Sequence, residues 1–435
     1  MTEASMRALL QRIDDALDPA ELQALVLELS DIPSGQGQEA ESGEYVYRWM
    51  QHEGFRPRKV AAVPHRFSVV GSYGGFGRAG LARDLLFSSH LDTEGPLDDH
   101  TDFWRLAPDT PPPEPNRIED GTFIGAAIAN DRGPMSCFLM AAKALKRADI
   151  RLAGTMLLTA CPGEIGPDPI DEIEGVANSG KDVGALYMLH HGGVAPDYMI
   201  AAEGTDFAFT SVGGGYVTFR IRLFGAEAYT PILDSPADPR AHPNPIYHLG
   251  DAIAALNNWG RAYEHVHRYE NEGGTAIPKV QIGAVRGGVP HAMGGGTAVC
   301  ALYLEVLLTP ASRVQDVRRE VAGALENAGF SGFELQPVAI RHGYAADPNE
   351  VAPLRQALTG ALAAVRDGQA MPNAHSVYSS MWRDHNVFNM NRVPSATMGP
   401  PRHRPTLRDL VDCTRLYALT AITICGLANP EETIR

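Results

Sequence analysis

The first residues that could carry out chemistry form the segment Ser-Ser-His-Leu-Asp-Thr at positions 88–93. The apolar run 85–87 precedes it and Gly95-Pro96 follows it, which predicts a buried strand that ends near the histidine. A carboxylate two residues after an imidazole can orient one ring nitrogen while the other nitrogen binds a metal ion. His-x-Asp is a common tripeptide, so this pattern alone is a weak signal for a metal site.

Two further apolar segments also end in acidic residues. Segment 154–161 leads to the carboxylate of Glu164, and segment 198–202 leads directly to Glu203. Helical patterns separate these segments, and the glycine-flanked stretch 125–133 predicts a loop that opens a helix. In α/β folds, functional groups gather beyond the carboxyl ends of the strands. The sequence therefore predicts a site at one edge of a sheet.

The remaining pattern predicts an α/β domain that a smaller module interrupts. Residues 213–335 read as β-α-β-β-α-β, a ferredoxin-like α+β sandwich, and the α/β domain spans 1–212 and 336–435. The expected elements of the larger domain are two short N-terminal helices separated at Pro19, strands at 59–73 and 85–90 joined by a glycine-rich hairpin turn at 75–80, helices at 351–365 and 406–424, and short strands at 387–390 and 395–398.

Length and composition restrict the class of protein. The 435 residues are enough for two or three domains, and the net charge of −15 disfavours nucleic acid or an anionic membrane as a partner. The five cysteines include no Cys-x-x-Cys pair, and no apolar run approaches membrane-spanning length. We therefore expect a soluble cytoplasmic protein with reduced thiols.

The order of five motifs resembles that of the zinc aminoacylase and peptidase family, and the resemblance covers essentially the whole chain. The resemblance implies a metallopeptidase-like α/β catalytic domain with an inserted dimerisation or lid domain, and hence a homo-oligomer. The motifs are His90-x-Asp92, Asn130-Asp131-Arg132-Gly133, Gly163-Glu164-x-Gly166, Glu203-Gly204-Thr205 and a Gly-Pro-Pro-Arg-His that ends at His403.

The resemblance also implies a ligand set. Members of the family bind two metal ions, and by position His90 and Glu203 would bind one ion, whereas Glu164 and His403 would bind the other. Asp92 would orient the ring of His90. Imidazole and carboxylate ligands suit a divalent transition metal such as manganese or zinc.

Three positions depart from the family pattern. Asn130 takes the position of the carboxylate that bridges the two ions, and Asp131 starts one residue out of register. Gly163 takes the position of the general base, and Tyr229 that of a histidine which reaches over from the inserted domain to stabilise the oxyanion. These departures predict one metal ion per chain and a reaction that differs from ordinary amide hydrolysis.

A single ion would still lower the pKa of a bound water and supply a hydroxide nucleophile near neutral pH. Because proton delivery and oxyanion stabilisation are weakened, the substrate should carry its own activation, as an electron-poor aryl amine does. We expect Tyr229 or His375 to contact this substrate, and Arg341, Arg383 or Arg392 to bind its carboxylate. Two alternatives stay open, an aminoacylase, dipeptidase or carboxypeptidase with a base from elsewhere, and an inactive binding protein.

Overall fold

A six-stranded sheet organises the larger domain in the computed structural model, which describes residues 3–77, 82–95, 99–291 and 294–428. The strands are β1 (Arg58–Val63), β2 (Arg66–Gly74), β3 (Leu85–His90), β4 (Arg117–Glu119), β5 (Thr122–Ile124), β6 (Thr155–Cys161), β7 (Tyr198–Ala201), β8 (Val212–Gly213), β9 (Gly215–Phe224), β10 (Tyr269–Asn271), β11 (Gly274–Ala276), β12 (Val280–Gly287), β13 (Val299–Leu308), β14 (Glu334–Arg341), β15 (Tyr344–Ala345) and β16 (Ser395–Thr397). The α-helices are α1 (Glu3–Ala16), α2 (Pro19–Ser30), α3 (Ala40–His52), α4 (Asp99–Arg105), α5 (Gly133–Arg147), α6 (Ala185–His191), α7 (Leu249–Val266), α8 (Val314–Asn327), α9 (Pro348–Val365), α10 (Ser376–Ser380), α11 (Asp384–Met390) and α12 (Leu407–Cys425).

The sheet of the larger domain has the strand order β1-β2-β6-β3-β7-β16. Strands β6, β3, β7 and β16 run parallel, so their carboxyl ends meet at one edge. Alternate side chains of β3 enter cores on opposite faces of the sheet, because successive strand residues point to opposite sides. Phe87 packs against Phe138 of α5 and Tyr417 of α12, whereas Leu86 belongs to the core beneath α6 and α11.

The inserted module is an antiparallel sheet with the strand order β12-β13-β9-β14, covered on one face by α7 and α8. Val217, Phe219, Ile221 and Leu223 of β9 point into its core, and the residues between them are only partly buried, as their alternation predicts. The predicted class, an α/β domain with an inserted α+β sandwich, is confirmed. Strand β14 continues to Arg341, so the domain boundary proposed at residue 335 falls inside a strand.

The predicted hairpin between the second and third strands is wrong. Strand β6 lies between β2 and β3, pairing antiparallel with the first and parallel with the second. Every residue of β3 is buried, which suits the interior of a parallel set better than one arm of a hairpin. Residues 78–80 of the proposed turn lie outside the described residues.

The predicted strand at 387–390 is also wrong, because this segment belongs to helix α11. Val387 and Phe388 are both buried against the sheet. A short apolar run does not distinguish a strand from a buried helix by its pattern, and the helix was therefore missed. None of the helices in the described part of the chain is long and apolar enough to cross a membrane.

Candidate metal centre

Three buried side chains converge at the carboxyl edge of the parallel strands. His90 is the last residue of β3, Glu203 lies two residues beyond β7, and Asp131 lies in a helical turn immediately before α5. One potential ligand atom from each residue lies within 4.8 Å of the others. Two neighbouring strands and the loop before a helix thus position the three side chains, as the positions of His90 and Glu203 in the sequence predict.

The polar atoms of this cluster fit a divalent metal ion. Nε2 of His90, both carboxylate oxygens of Asp131 and Oε2 of Glu203 are buried and meet no hydrogen-bond geometry within the described residues, although the Arg383 guanidinium contacts Oε2 of Glu203. Nε2 of His90 is 2.9 Å from Oδ2 of Asp131. Buried polar atoms without hydrogen bonds are costly unless a cation compensates them, and one imidazole with two carboxylates suits zinc or manganese.

Asp92 orients His90 mainly through its main chain. The Nδ1 nitrogen of His90 is 2.7 Å from the carbonyl oxygen of Asp92 and 3.5 Å from its carboxylate. Donation to that carbonyl leaves the Nε2 lone pair free for a metal ion. The Asp92 carboxylate instead accepts hydrogen bonds from the backbone N–H groups of Glu164 and Ile165, at 3.0 and 2.7 Å. Burial raises the pKa of this carboxyl group, but the nearby His90 ring and the hydrogen bonds from the backbone lower it to about 2.

Asp131, and not Asn130, directs a carboxylate into the cluster. The Asp131 side chain is fully buried beside His90, whereas the Asn130 amide oxygen accepts a hydrogen bond from Nη2 of Arg402 at 3.3 Å. Both residues have non-helical backbone angles within the turn before α5. The offset of one residue along the chain, which the sequence suggested would keep Asp131 away, is therefore absorbed by the shape of this turn.

Gly163 occupies a place where no side chain fits. Its φ angle is +75°, and a Cβ atom there would lie 1.9 Å from the carbonyl oxygen of Gly180 and 2.8 Å from Nη2 of Arg66. Only glycine adopts this conformation at such close approach without strain. The absence of a base at this position is thus built into the loop between β6 and α6.

The other residues proposed for the site are not members of this three-residue cluster. Glu164 is buried, but Nζ of Lys181 lies 3.7 Å from its carboxylate, and it is not part of the three-residue cluster. His403 is exposed, and His375 is an exposed residue whose ring accepts a hydrogen bond from Val377 at the start of α10. Tyr229 is 58% exposed in the inserted domain. Within the described residues, no hydrogen bond or ion pair connects His375, His403 or Tyr229 to the cluster.

Two arginine side chains lie close to the cluster. The Arg383 guanidinium is buried and contacts Glu203, and Nη1 of Arg402 is a buried donor without a partner in the described residues. Of the other arginines proposed for a substrate carboxylate, Arg341 is paired with Asp168 and Asp182, and Arg392 is exposed. The sequence predicted no role for Arg402 or Lys181. Arg402 stands next to His403 in a recognisable motif, whereas nothing in the sequence marks Lys181.

Asp384 is a further titratable group near the cluster. It is buried at the first turn of α11, and burial together with the negative charge of Glu164 raises the pKa of its carboxyl group to about 7. The adjacent His385 is fully buried, with Nδ1 2.6 Å from Oγ1 of Thr397, and burial together with Arg383 lowers its pKa to about 3. The pKa of Asp384 thus lies close to neutral pH, whereas the lowered pKa of His385 keeps its ring neutral there.

Comparison with known sequences gives a partial match. No family model matches the chain. A curated relative, a putative [LysW]-lysine/[LysW]-ornithine hydrolase from Pyrobaculum aerophilum, is 24% identical over 233 residues, which are 53% of this chain and 55% of that protein. The match thus spans about half the length of the relative.

Solved structures align over nearly the whole chain. Human carnosine dipeptidase 1 superposes with a TM-score of 0.65 at 14% identity, covering 97% of this chain and 99% of the dipeptidase. A metallo-carboxypeptidase of the M20 family from Sulfolobus solfataricus superposes with a TM-score of 0.62 at 14% identity, covering 93% of this chain and 99% of that structure. These proteins are hydrolases, and the chain shares the fold of the dipeptidase and the metallo-carboxypeptidase.

Proposed function

We propose that the chain is a metal-dependent hydrolase that cleaves a C–N bond in a small carboxylate-bearing molecule, and that its substrate is an activated aryl amine. The buried cluster of His90, Asp131 and Glu203 beside the side-chain-free Gly163 carries this proposal. These three residues would hold one manganese or zinc ion per chain. When bound, such an ion lowers the pKa of water and so supplies a nucleophile at neutral pH.

Asp384 is the residue that we propose to move a proton. Its carboxyl group titrates near neutral pH, where a general base is most effective, and no side chain at Gly163 can take this role. Asp384 would accept the proton that water loses and return it to the departing nitrogen. The C–O bond forms at the amine-bearing ring carbon, the C–N bond breaks, and ammonia leaves.

Arg402 is the residue that we propose to bind the substrate carboxylate. Its buried Nη1 group has no partner within the described residues, while Nη2 is held by Asn130. A guanidinium donor in this position can pair with a carboxylate. An aryl amine with an electron-withdrawing nitro group takes up the negative charge that develops on attack, so it needs little help from an oxyanion donor.

The concrete candidate is the conversion of 5-nitroanthranilate to 5-nitrosalicylate and ammonia, the activity of 5-nitroanthranilate aminohydrolase, a divergent member of the family that the sequence resembles. The chain, stripped of metal and reloaded with Mn²⁺ or Zn²⁺, should release ammonia from this substrate and leave N-acetyl amino acids and dipeptides intact. His90→Asn is the matched inactive control. Cleavage of the acyl amino acids or dipeptides without turnover of any activated aryl amine would refute the aryl-amine assignment.

Amide hydrolysis is the second candidate. It is supported by the proteins that the chain resembles, which include a putative [LysW]-lysine/[LysW]-ornithine hydrolase, a dipeptidase and a carboxypeptidase. The same assay distinguishes it, because a dipeptidase or aminoacylase would release free amino acids. An inactive binding protein would show neither activity and no tightly bound metal.

We also propose a cytoplasmic homo-oligomer. All five cysteines are buried and free, as expected in a reducing compartment. Strand β12 is an exposed edge of the inserted sheet, with Val285 48% exposed, and is a surface on which a second copy can pair.

A further inference from the structure

The candidate centre contains more buried carboxyl groups than the two that its three proposed ligands supply. Glu164 and Asp384 are buried beside the cluster of His90, Asp131 and Glu203. The negative charge of Glu164 raises the pKa of both Asp384 and Arg383, and the negative charge of Asp131 also raises the pKa of Arg383. Buried carboxylates at close range require compensating positive charge. This concentration of acidic groups could hold more than one cation.

Two side chains already supply positive charge at this place. Arg383, only 3% exposed, forms an ion pair with Glu203, and Lys181, 8% exposed, lies 3.7 Å from Glu164. The Lys181 ammonium also lies 5.6 Å from the centre of the Trp382 ring, which helps to fix its position. Both cations are therefore buried and held in place by the fold.

The Arg383 guanidinium contacts Glu203 and is close enough to Asp131, Glu164 and Asp384 for their charges to influence it. Burial and the nearby Arg402 lower the pKa of the Arg383 guanidinium, whereas the negative charges of Asp131, Glu164 and Asp384 raise it. One divalent ion together with Arg383, Arg402 and Lys181 would already offset the buried carboxylates of the region, which are Asp92, Asp131, Glu164, Glu203 and Asp384. A second divalent ion would leave an excess of buried positive charge next to a guanidinium that cannot lose its proton readily.

We propose that Arg383 is a built-in cation that takes the place of a second metal ion and limits the centre to one ion. The inference rests on the proposed metal centre and assigns a specific role to a residue outside the proposed ligand set. Arg383 is a positioning residue, because its charge limits the number of bound metal ions through Glu203 and the neighbouring carboxylates.

Metal content measures this role without an activity assay. The wild-type chain and the variants Arg383→Met, Arg383→Lys and Arg404→Met are stripped with chelator, reloaded with excess Mn²⁺, desalted and analysed by elemental mass spectrometry and electron paramagnetic resonance. Methionine keeps much of the arginine volume without charge, and lysine keeps the charge. Arg404 is the exposed control from the loop that follows β16.

We expect one ion per chain in the wild type, in Arg383→Lys and in Arg404→Met. Arg383→Met should bind a second ion and show the spectrum of two coupled Mn²⁺ ions. Two ions in the wild type would overturn the inference, and this result does not depend on whether any variant folds. One ion in both the wild type and a folded Arg383→Met would also overturn it while leaving the proposed function intact. No bound ion in the wild type would refute the metal centre itself.

Discussion

Two adjacent residues, Asn130 and Asp131, differ in what their side chains can do at the centre. Asp131 brings a charged carboxylate to His90, whereas Asn130 is engaged by Arg402. A carboxylate has both the negative charge and the lone pairs that a divalent cation requires, and an amide lacks the charge. The family pattern would assign this ligand to Asn130. The structure favours Asp131 instead.

Substitution of Asp131 should weaken metal binding far more than substitution of its neighbour. We expect Asp131→Asn to reduce Mn²⁺ affinity by more than ~10²-fold, beyond the range typical of residues that only support a ligand, and Asn130→Ala to reduce it by less than ~10-fold. Isothermal titration calorimetry with Mn²⁺ measures both constants. Equal losses in the two variants would show that the amide, too, is a ligand.

Asp384 should control the pH dependence of turnover. Because its carboxyl pKa is raised to about 7 and the base must be deprotonated, wild-type kcat should rise with pH through this value. Asp384→Asn should lower kcat by about 10²- to 10⁴-fold and remove this limb of the profile, with metal content unchanged. Asp367→Asn, an exposed aspartate, is the control. An unaltered pH profile in Asp384→Asn would assign the proton transfer to another group.

At the scale of elements, helix α11 has a role that the sequence did not reveal. Its N-terminal end supplies Asp384 and follows Arg383, and its buried residues pack on the sheet beneath the centre. His385 faces inward from this helix and contacts Thr397 of β16 through Nδ1. The helix thus connects the last parallel strand to the charged groups of the site.

His385 should make the fold less stable in mild acid. Its folded-state pKa of about 3 lies below its ordinary value of 6.5, so the unfolded chain binds more protons between these values. Stability is therefore complete above about pH 6.5 and falls as the pH decreases, by about 1.4 kcal/mol at one pH unit below 6.5. Urea unfolding measures the decrease in unfolding free energy between pH 7.5 and pH 5.5. We expect this decrease to be smaller in His385→Asn than in the wild type, by about 1.4 kcal/mol. The exposed His265→Asn should retain the full wild-type loss.

At the scale of the whole molecule, one loop joins the two domains. The loop that follows Glu164 presents Asp168 and Asp171 to the inserted sheet. Asp168 accepts hydrogen bonds from Tyr216 and Arg341, and Asp171 from Arg220 and Tyr303, all on the strands β9, β13 and β14. The inserted domain therefore helps to hold the segment that carries Glu164 and Lys181.

Removing the contacts of Asp168 and Asp171 with the inserted sheet should reduce turnover more than it reduces the free energy of unfolding. We expect the double variant Asp168→Asn with Asp171→Asn to lose about 1–2 kcal/mol of unfolding free energy, because partly exposed ion pairs contribute little individually. The same variant should be cleaved faster by protease within 166–182 and turn over substrate about 10-fold more slowly. Limited proteolysis and steady-state kinetics test this, with the exposed Asp234→Asn as control. Unchanged proteolysis would mean that the loop holds its shape without the inserted domain.

The sequence alone determined the class of fold and the strand ends that carry the chemistry. Apolar runs that end at His90 and Glu203, and the alternation along β9, are local patterns, and local patterns follow directly from side-chain periodicity. The tertiary structure decided which groups meet. It placed β6 between β2 and β3, turned 387–390 into a helix, and brought Asp131 and Arg383 to the same cluster. These outcomes depend on backbone direction at turns and on contacts between distant segments, which no local pattern encodes.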